Sequence, residues 1–168
     1  MWYSCFVGEF AMKIGRINDN QYGKTAKMIE RAVKCPRFSN YYPQSVVDDI
    51  VKRLDDDGVK QRASWTHFYV IEEDDNIVAC GAIGEFWSSK TESALFSVFV
   101  DPDYQGMGYG RKIIEVLQQD EYFKRAKRVE VAASIPAIPF YRKMGYEFKN
   151  GEAVFDNGHF ALEKFVNV

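Results

Sequence analysis

The sequence has few of the residues that build metal centres or disulfide frameworks. Its 168 residues include only two histidines, His67 and His159, and three cysteines, an odd number with no Cys-x-x-Cys pair. Two histidines supply too few ligands for a Cys/His metal centre, so we expect no bound metal. Unpaired cysteines argue against a disulfide framework, so we expect a reducing, cytoplasmic location.

Long hydrophobic runs and a strong charge of one sign are also lacking. No apolar run approaches the ~18 residues that a membrane-spanning helix needs. The opening "MWYSCFVGEFA" lacks the basic start of a signal peptide, and we interpret residues 1–11 as a possible N-terminal extension. A formal net charge of −2 gives no global attraction to nucleic acid or an anionic membrane. We therefore expect neither as a partner, and any anion site must be local.

What is present favours one globular domain over residues 1–168. Hydrophobic residues make up 46% of the chain and aromatic residues 15%, enough for a substantial core. Periodicity predicts the order β-α-α-β-β-β-α-β-α-β, which is an α/β (α+β) class with a mixed sheet. The first predicted helix spans 18–35, with Asp19 or Asn20 as its cap, and the second spans 42–58 and ends at Gly58. The third runs from the glycines to the basic stretch 124–128. The fourth spans 136–146 and stops at Gly145. The predicted strands are 13–17, 65–71, 76–87, 94–100, 128–134 and 159–166.

Three glycines, Gly106, Gly108 and Gly110, stand between a predicted strand and a predicted helix. Glycine in a helix interior costs roughly 0.5–1 kcal/mol relative to alanine, so three in five residues need a reason. A strand, a glycine-rich turn and a helix start together expose free N–H groups that bind phosphate. Arg111 adds a cation beside them.

Two kinds of phosphate site fit this pattern. The dinucleotide fingerprint needs Gly-x-Gly-x-x-Gly and an acid about 20 residues later, where Glu130 lies. Here the spacing is Gly-x-Gly-x-Gly, and the chain after Gly110 is too short for repeated βαβ halves. The preceding strands are also joined as hairpins, so we favour a different phosphate site.

The segment "VFVDPDYQGMGYGR" resembles the acetyl-CoA signature of the GNAT superfamily of N-acetyltransferases, Gln/Arg-x-x-Gly-x-Gly/Ala, through Gln105, Gly108 and Gly110. The later "PAIPFYRKMGYEF" resembles the next segment of that family, a short helix with a tyrosine followed by Gly-Phe/Tyr. The order of elements also matches. The resemblance covers residues 13–165 and is sharpest over 98–148.

The resemblance implies acetyl-CoA as co-substrate. Backbone N–H groups of the glycine loop would bind its diphosphate, and the preceding strand would run along its pantetheine arm. That strand would also hold the thioester carbonyl through an N–H of Val98 or Val100, in a gap between strands 92–100 and 129–133. A bulge would open this gap, but the sequence does not show one. The implied cofactor residues are Val98, Phe99, Val100, Gln105, Gly106, Met107, Gly108, Tyr109, Gly110, Arg111 and Ser134, the last replacing an asparagine that is common in the family.

The resemblance also implies catalytic residues. Tyr141 matches the family tyrosine that protonates the coenzyme A thiolate. Glu130 matches a glutamate that some members use to deprotonate the amine, and Glu92 lies two residues from where other members place theirs. Glu85 is a third candidate, and a surface position at a strand edge explains each glutamate better than a role as the base.

The expected function is acetyl-CoA-dependent N-acetylation of a primary amine on a small molecule or peptide. A non-catalytic acyl-CoA-binding or regulatory domain on the same fold is the alternative. Residues 20–60 and the region of Phe86 and Trp87 are expected to select the acceptor. A homodimer is compatible with the sequence.

Overall fold

The computed structural model describes residues 3–6 and 11–166. Within these ranges, nine strands form one sheet in the order β1-β2-β3-β4-β5-β6-β9-β7, with β8 paired to β9. Only the β5–β6 pair is parallel there. The strands are β1 Tyr3–Phe6, β2 Ala11–Arg16, β3 His67–Glu73, β4 Asn76–Glu85, β5 Glu92–Val100, β6 Arg128–Ala133, β7 Glu147–Phe148, β8 Phe155–Asp156 and β9 His159–Phe165.

Helices cover both faces of this sheet. They are α1 Tyr22–Lys34, α2 Pro36–Ser39, α3 Gln44–Arg53, α4 Asp56–Trp65, α5 Tyr109–Gln119, α6 Glu121–Lys124 and α7 Ile138–Lys143. On one face α1, α3 and α4 bury Ile29, Val47 and Val59 against Phe68 of β3. On the other face, α5 buries Ile114 and Leu117 among residues of β6 and α7. The mixed α/β class is confirmed, and no helix in the described part of the chain is long and apolar enough to cross a membrane.

The possible N-terminal extension, residues 1–11, lies partly outside the described residues. Of these residues, Tyr3–Phe6 form β1, which pairs antiparallel with β2, and Ala11 is the first residue of β2.

The predicted helix over 42–58 is wrong, because two helices occupy that region and the adjoining residues. Helix α3 ends at Arg53, and α4 begins at Asp56 with Asp55 as its cap; the Asp55 carboxylate accepts from the N–H of Gly58 at 2.9 Å. Gly58 therefore lies in the first turn of α4. The chain turns so tightly here that a Cβ on Gly58 would lie 2.0 Å from the carbonyl oxygen of Arg53. The glycine marks a tight helix start rather than a helix end.

Two other predicted boundaries are also wrong. Asn18, rather than Asp19 or Asn20, caps the turn that leads into α1, and its side chain accepts from the N–H of Asn20. The basic stretch 124–128 does not end α5, which stops at Gln119 because the Asp120 carboxylate caps α6 instead. In both places an Asn or Asp side chain satisfies free N–H groups of the next turn.

The sheet opens between β5 and β6, as the family resemblance implies. Residues Glu92–Leu95 of β5 pair with residues 128–131 of β6, and no further pairing occurs between these strands in the described residues. A bulge in β5 accompanies the separation: Ala82 of β4 pairs with Phe96 and Cys80 pairs with Phe99, so β5 has one extra residue. Ser97 lies within the bulge at φ +49°. The extra residue increases the local twist and directs the end of β5 away from β6.

Candidate active site

A cavity of about 900 Å³ lies beside the gap between β5 and β6. Its walls come from α2, the end of β5, the glycine loop before α5, the β6–α7 connection and α7. The predicted site residues that line it are Val98, Phe99, Val100, Gln105, Gly106, Gly108, Gly110, Arg111, Ser134 and Tyr141. Residues that are distant in sequence therefore meet at the end of β5.

The glycine loop supplies free N–H groups at one end of the cavity. Gly106 and Gly108 adopt φ values of +78° and +90°, which disfavour a side chain, and a Cβ on either would meet open space. Helix α5 begins directly after Gly108 without a side-chain cap, and its first hydrogen bond runs from the Lys112 N–H to the Gly108 carbonyl. The earlier N–H groups have no acceptor within the helix, so they are free to donate hydrogen bonds to an anion.

Gly110 has a different role from the other two glycines. A Cβ there would lie 3.1 Å from Cε2 of Phe140 in α7, closer than ordinary packing allows. The missing side chain thus lets α5 and α7 approach each other at the cavity wall.

Tyr141 places a buried phenol in the cavity wall. Only 5% of this residue is exposed, although it lines the cavity. Its ring packs edge-on against Phe140 and Tyr146, with centroids 5.2 Å and 5.8 Å away. Burial raises the pKa of the Tyr141 phenol above its ordinary value near 10, so the group is protonated at neutral pH.

The structure does not bring Glu92 and Glu130 into the cavity. Both bind the Arg128 guanidinium, Glu92 at 2.9 Å and Glu130 at 2.6 Å, on the sheet face away from α5. Hydrogen bonding to Arg128 lowers the pKa of Glu92, which makes it a weaker base. Glu85 is also paired, with Lys90 and Arg125, and the hydrogen bond from Lys90 lowers its pKa.

The side chains of Met107 and Tyr109 lie outside the cavity lining. Met107 is 65% exposed. The Tyr109 hydroxyl donates a hydrogen bond to Glu73, and its ring packs against Tyr104. Met107 and Tyr109 therefore contribute backbone groups to the glycine loop, and their side chains do not line the cavity.

Several cavity residues were not predicted from the sequence. Arg37 of α2 donates to the Gln105 side-chain oxygen at 3.1 Å, and the Gln105 amide donates to the Val100 carbonyl at 3.1 Å. Lys143 adds a third cation to the lining, beside Arg37 and Arg111. The Tyr42 hydroxyl accepts from the N–H of Ile135 at 2.8 Å and joins the segment before α3 to the connection between β6 and α7. No local pattern marks Arg37, because only the position of α2 brings it to the cavity.

Comparison with solved structures supports the same architecture. The PaiA N-acetyltransferase from Thermoplasma acidophilum, solved in complex with coenzyme A, is 11% identical with a TM-score of 0.78, over 92% of this chain and 99% of that one. A GCN5-related N-acetyltransferase from Rhodopseudomonas palustris is 18% identical with a TM-score of 0.73, over 91% and 94% of the two chains. N-acetylglutamate synthase from Neisseria gonorrhoeae is 13% identical with a TM-score of 0.62, over 94% of this chain and 34% of that one. At these identities the likeness establishes the fold.

Sequence comparison establishes the family. No curated protein matches the chain by sequence. The family model for the acetyltransferase (GNAT) domain matches residues 64–148, which include β3 to β6, the glycine loop and α7. This match covers half of the chain, and the chain therefore belongs to the GNAT acetyltransferase family.

Proposed function

We propose that the protein is an acetyl-CoA-dependent N-acetyltransferase that acylates a primary amine of a small molecule or peptide by direct attack on the thioester. The observation that supports this most is one cavity with an uncapped helix N-terminus at one end and the protonated Tyr141 phenol in its wall. The Thermoplasma structure of the same fold, in complex with coenzyme A, is consistent with this ligand.

The diphosphate of coenzyme A fits the glycine loop. A helix N-terminus has a partial charge of about +0.5, and its free N–H groups donate directly to phosphate oxygens. Arg37, Arg111 and Lys143 line the same cavity and add full positive charges. Although the whole chain is acidic, the local charge therefore suits a polyanion.

The end of β5 suits the pantetheine arm. Beyond Leu95 the strand no longer pairs with β6, so its N–H and C=O groups on that side are available to amides. Val98 and Val100 line the cavity here, and we assign one of their N–H groups to the thioester carbonyl. The same donor would stabilise the oxyanion that forms when the amine attacks.

Proton transfer completes the reaction. The attacking amine must be neutral, whereas a lysine-like amine with a pKa near 10.4 is mostly protonated at neutral pH. Attack gives a tetrahedral intermediate, and its collapse breaks the C–S bond and releases a thiolate that takes the phenol proton of Tyr141. Solvent or a general base takes the amine proton, and a base role for Glu92 or Glu130 stays a prediction.

A non-catalytic acyl-CoA-binding domain is the second candidate. One observation favours it: among the described residues, the cavity lining has no carboxylate or histidine to act as a base.

Incubation of the protein with acetyl-CoA and a panel of primary amines distinguishes the N-acetyltransferase from the non-catalytic binding domain. We expect thiol release that depends on the amine, with an acetylated product. Binding of acetyl-CoA without amine-dependent thiol release would favour the second candidate.

A further inference from the structure

The sheet face away from α5 gives a second approach to the gap between β5 and β6. Val129 and Val131 of β6 pack in the core cluster beneath α5, so Glu130 and Ala132 point to the opposite face. Ala132 is exposed, which shows that no helix covers the gap there. Because the proposed coenzyme site lies between the glycine loop and α7, an amine would reach the thioester from this open face.

Arg62 of α4 lies at the edge of this open face. Its guanidinium carbon is 4.9 Å from the ring centroid of Trp65 and 4.9 Å from that of Phe96. Phe96 is the first residue of β5 beyond its pairing with β6. One aromatic side chain therefore separates the Arg62 guanidinium from the start of the gap.

The charge of Arg62 has no counterion among residues 3–6 and 11–166. Within the described part of the chain, the structure contains no ion pair or side-chain hydrogen bond of its guanidinium, which lies over the aromatic rings of Trp65 and Phe96. Burial, together with the positive charge of Arg53, lowers the pKa of Arg62. A partly buried cation without an anion is unfavourable, and contact with aromatic rings offsets only part of this cost. The position suits an anion supplied by a ligand.

The acidic residues on the same face differ from Arg62 in this respect. Glu92, Glu130 and Glu163 all bind Arg128, and Glu130 also binds Lys149 at 2.9 Å. Each carboxylate thus has a cationic partner already. Among Arg62 and these three carboxylates of the described structure, Arg62 is the one without an ion pair.

We propose that Arg62 binds a carboxylate of the acceptor, so that the preferred acceptor is an amine that also bears a carboxylate, such as an amino acid. This inference rests on the proposed N-acetyltransferase function. The planar guanidinium can donate two parallel hydrogen bonds to a carboxylate. Trp65, which is 49% exposed, gives the rest of the acceptor an apolar surface beside that ion pair. The amine would then lie at the gap while the carboxylate is held at α4.

The test compares amines in matched pairs with and without the carboxylate, for example phenylalanine with phenethylamine and lysine with cadaverine. Thiol release from acetyl-CoA gives kcat/KM, and calorimetry on the protein saturated with coenzyme A gives binding without turnover. We expect the wild type to prefer the amine that carries a carboxylate. Arg62→Gln should reduce kcat/KM for that amine about 10–100-fold and leave kcat/KM for the amine without a carboxylate unchanged. Arg62→Lys should retain part of the preference.

Arg53→Gln is the matched control, because Arg53 is exposed and paired with Asp49 at 2.8 Å. It should retain the wild-type preference, and unchanged coenzyme A affinity in every variant would show that the fold is intact. Equal loss for both members of a pair in Arg62→Gln, or no preference in the wild type, would overturn the inference while turnover supports the proposed function. Arg62-dependent binding of the carboxylate amine without turnover would support the inference and contradict the proposed function.

Discussion

Gly110 in α5 lies against Phe140 in α7, and a Cβ at Gly110 would come within 3.1 Å of that ring. Phe140 lines the cavity beside Tyr141, so the space left by one missing side chain sets the position of the cavity wall. Gly110 therefore allows α5 and α7 to pack closely, whereas Gly106 and Gly108 leave the backbone of the loop exposed.

Gly110→Ala should change ligand binding more than stability. Alanine is a better helix former than glycine by about 0.8–1.0 kcal/mol, which offsets the cost of moving Phe140. The displaced ring should narrow the cavity and weaken coenzyme A binding. Calorimetry and a thermal unfolding curve measure the two effects, and wild-type affinity in Gly110→Ala would contradict this role for Phe140.

Gly108→Ala should weaken both stability and coenzyme A binding. The left-handed backbone at φ +90° costs an L-residue about 1–2 kcal/mol, although a Cβ would meet open space. Relief of this strain would reorient the N–H groups at the start of α5. Urea unfolding and calorimetry provide the measurements.

Gly151→Ala is the control for Gly108→Ala. Gly151 also has a positive φ, +74°, with open space around its Cβ position, but it is not among the cavity residues. It should lose a similar amount of stability and retain coenzyme A affinity. Equal loss of affinity in the two variants would show that the effect is not specific to the glycine loop.

Tyr141→Phe should lower kcat by about 10²–10⁴ with little change in coenzyme A affinity, because it removes only the proton donor. Tyr146→Phe is the matched control: Tyr146 is also buried, and its hydroxyl has no hydrogen-bond partner in the described structure. It should keep wild-type kcat. If Tyr141→Phe retained wild-type kcat with chemistry rate-limiting, Tyr141 would not be the acid.

Stability should fall at alkaline pH, partly through Tyr69. Burial, and a hydrogen bond from its hydroxyl to Asp120 at 2.7 Å, raise the pKa of Tyr69 to about 12, compared with about 10 in the unfolded chain. The folded protein holds this proton more tightly, so the contribution is complete below about pH 10 and is lost as pH rises through about 12.

Urea unfolding at about pH 9 and about pH 11.5 tests the role of Tyr69. Tyr69→Phe should show a smaller loss of stability between these values than the wild type. Tyr41→Phe, at an exposed tyrosine, should behave as the wild type does. An identical pH dependence in Tyr69→Phe and the wild type would refute the assignment.

The sequence predicts the parts of the site that local chemistry determines. The left-handed backbone at positions 106 and 108 favours glycine. The apolar periodicity of Ile113, Ile114 and Leu117 predicts the helix that follows. The gap between β5 and β6 was expected from the family resemblance. Its bulge at Ser97 was not, because serine has no conformational preference that marks such a position.

Long-range packing determines the rest. The sequence pattern predicts a helix end at Gly58, yet this glycine fits against the Arg53 carbonyl at a helix start. Arg37 and Arg62 have ordinary sequence neighbours, and only the positions of α2 and α4 bring them to the cavity and to the open face. The pairing of Glu92 and Glu130 with Arg128 likewise depends on strand register, which the sequence does not specify.

A crystal structure of the protein with coenzyme A is the most direct test of the proposed binding mode. The diphosphate should accept hydrogen bonds from backbone N–H groups of residues 106–111, and the sulfur should lie within hydrogen-bond distance of the Tyr141 hydroxyl. A diphosphate bound elsewhere, or a sulfur remote from Tyr141 with the glycine loop empty, would contradict both the binding mode and the assigned proton donor.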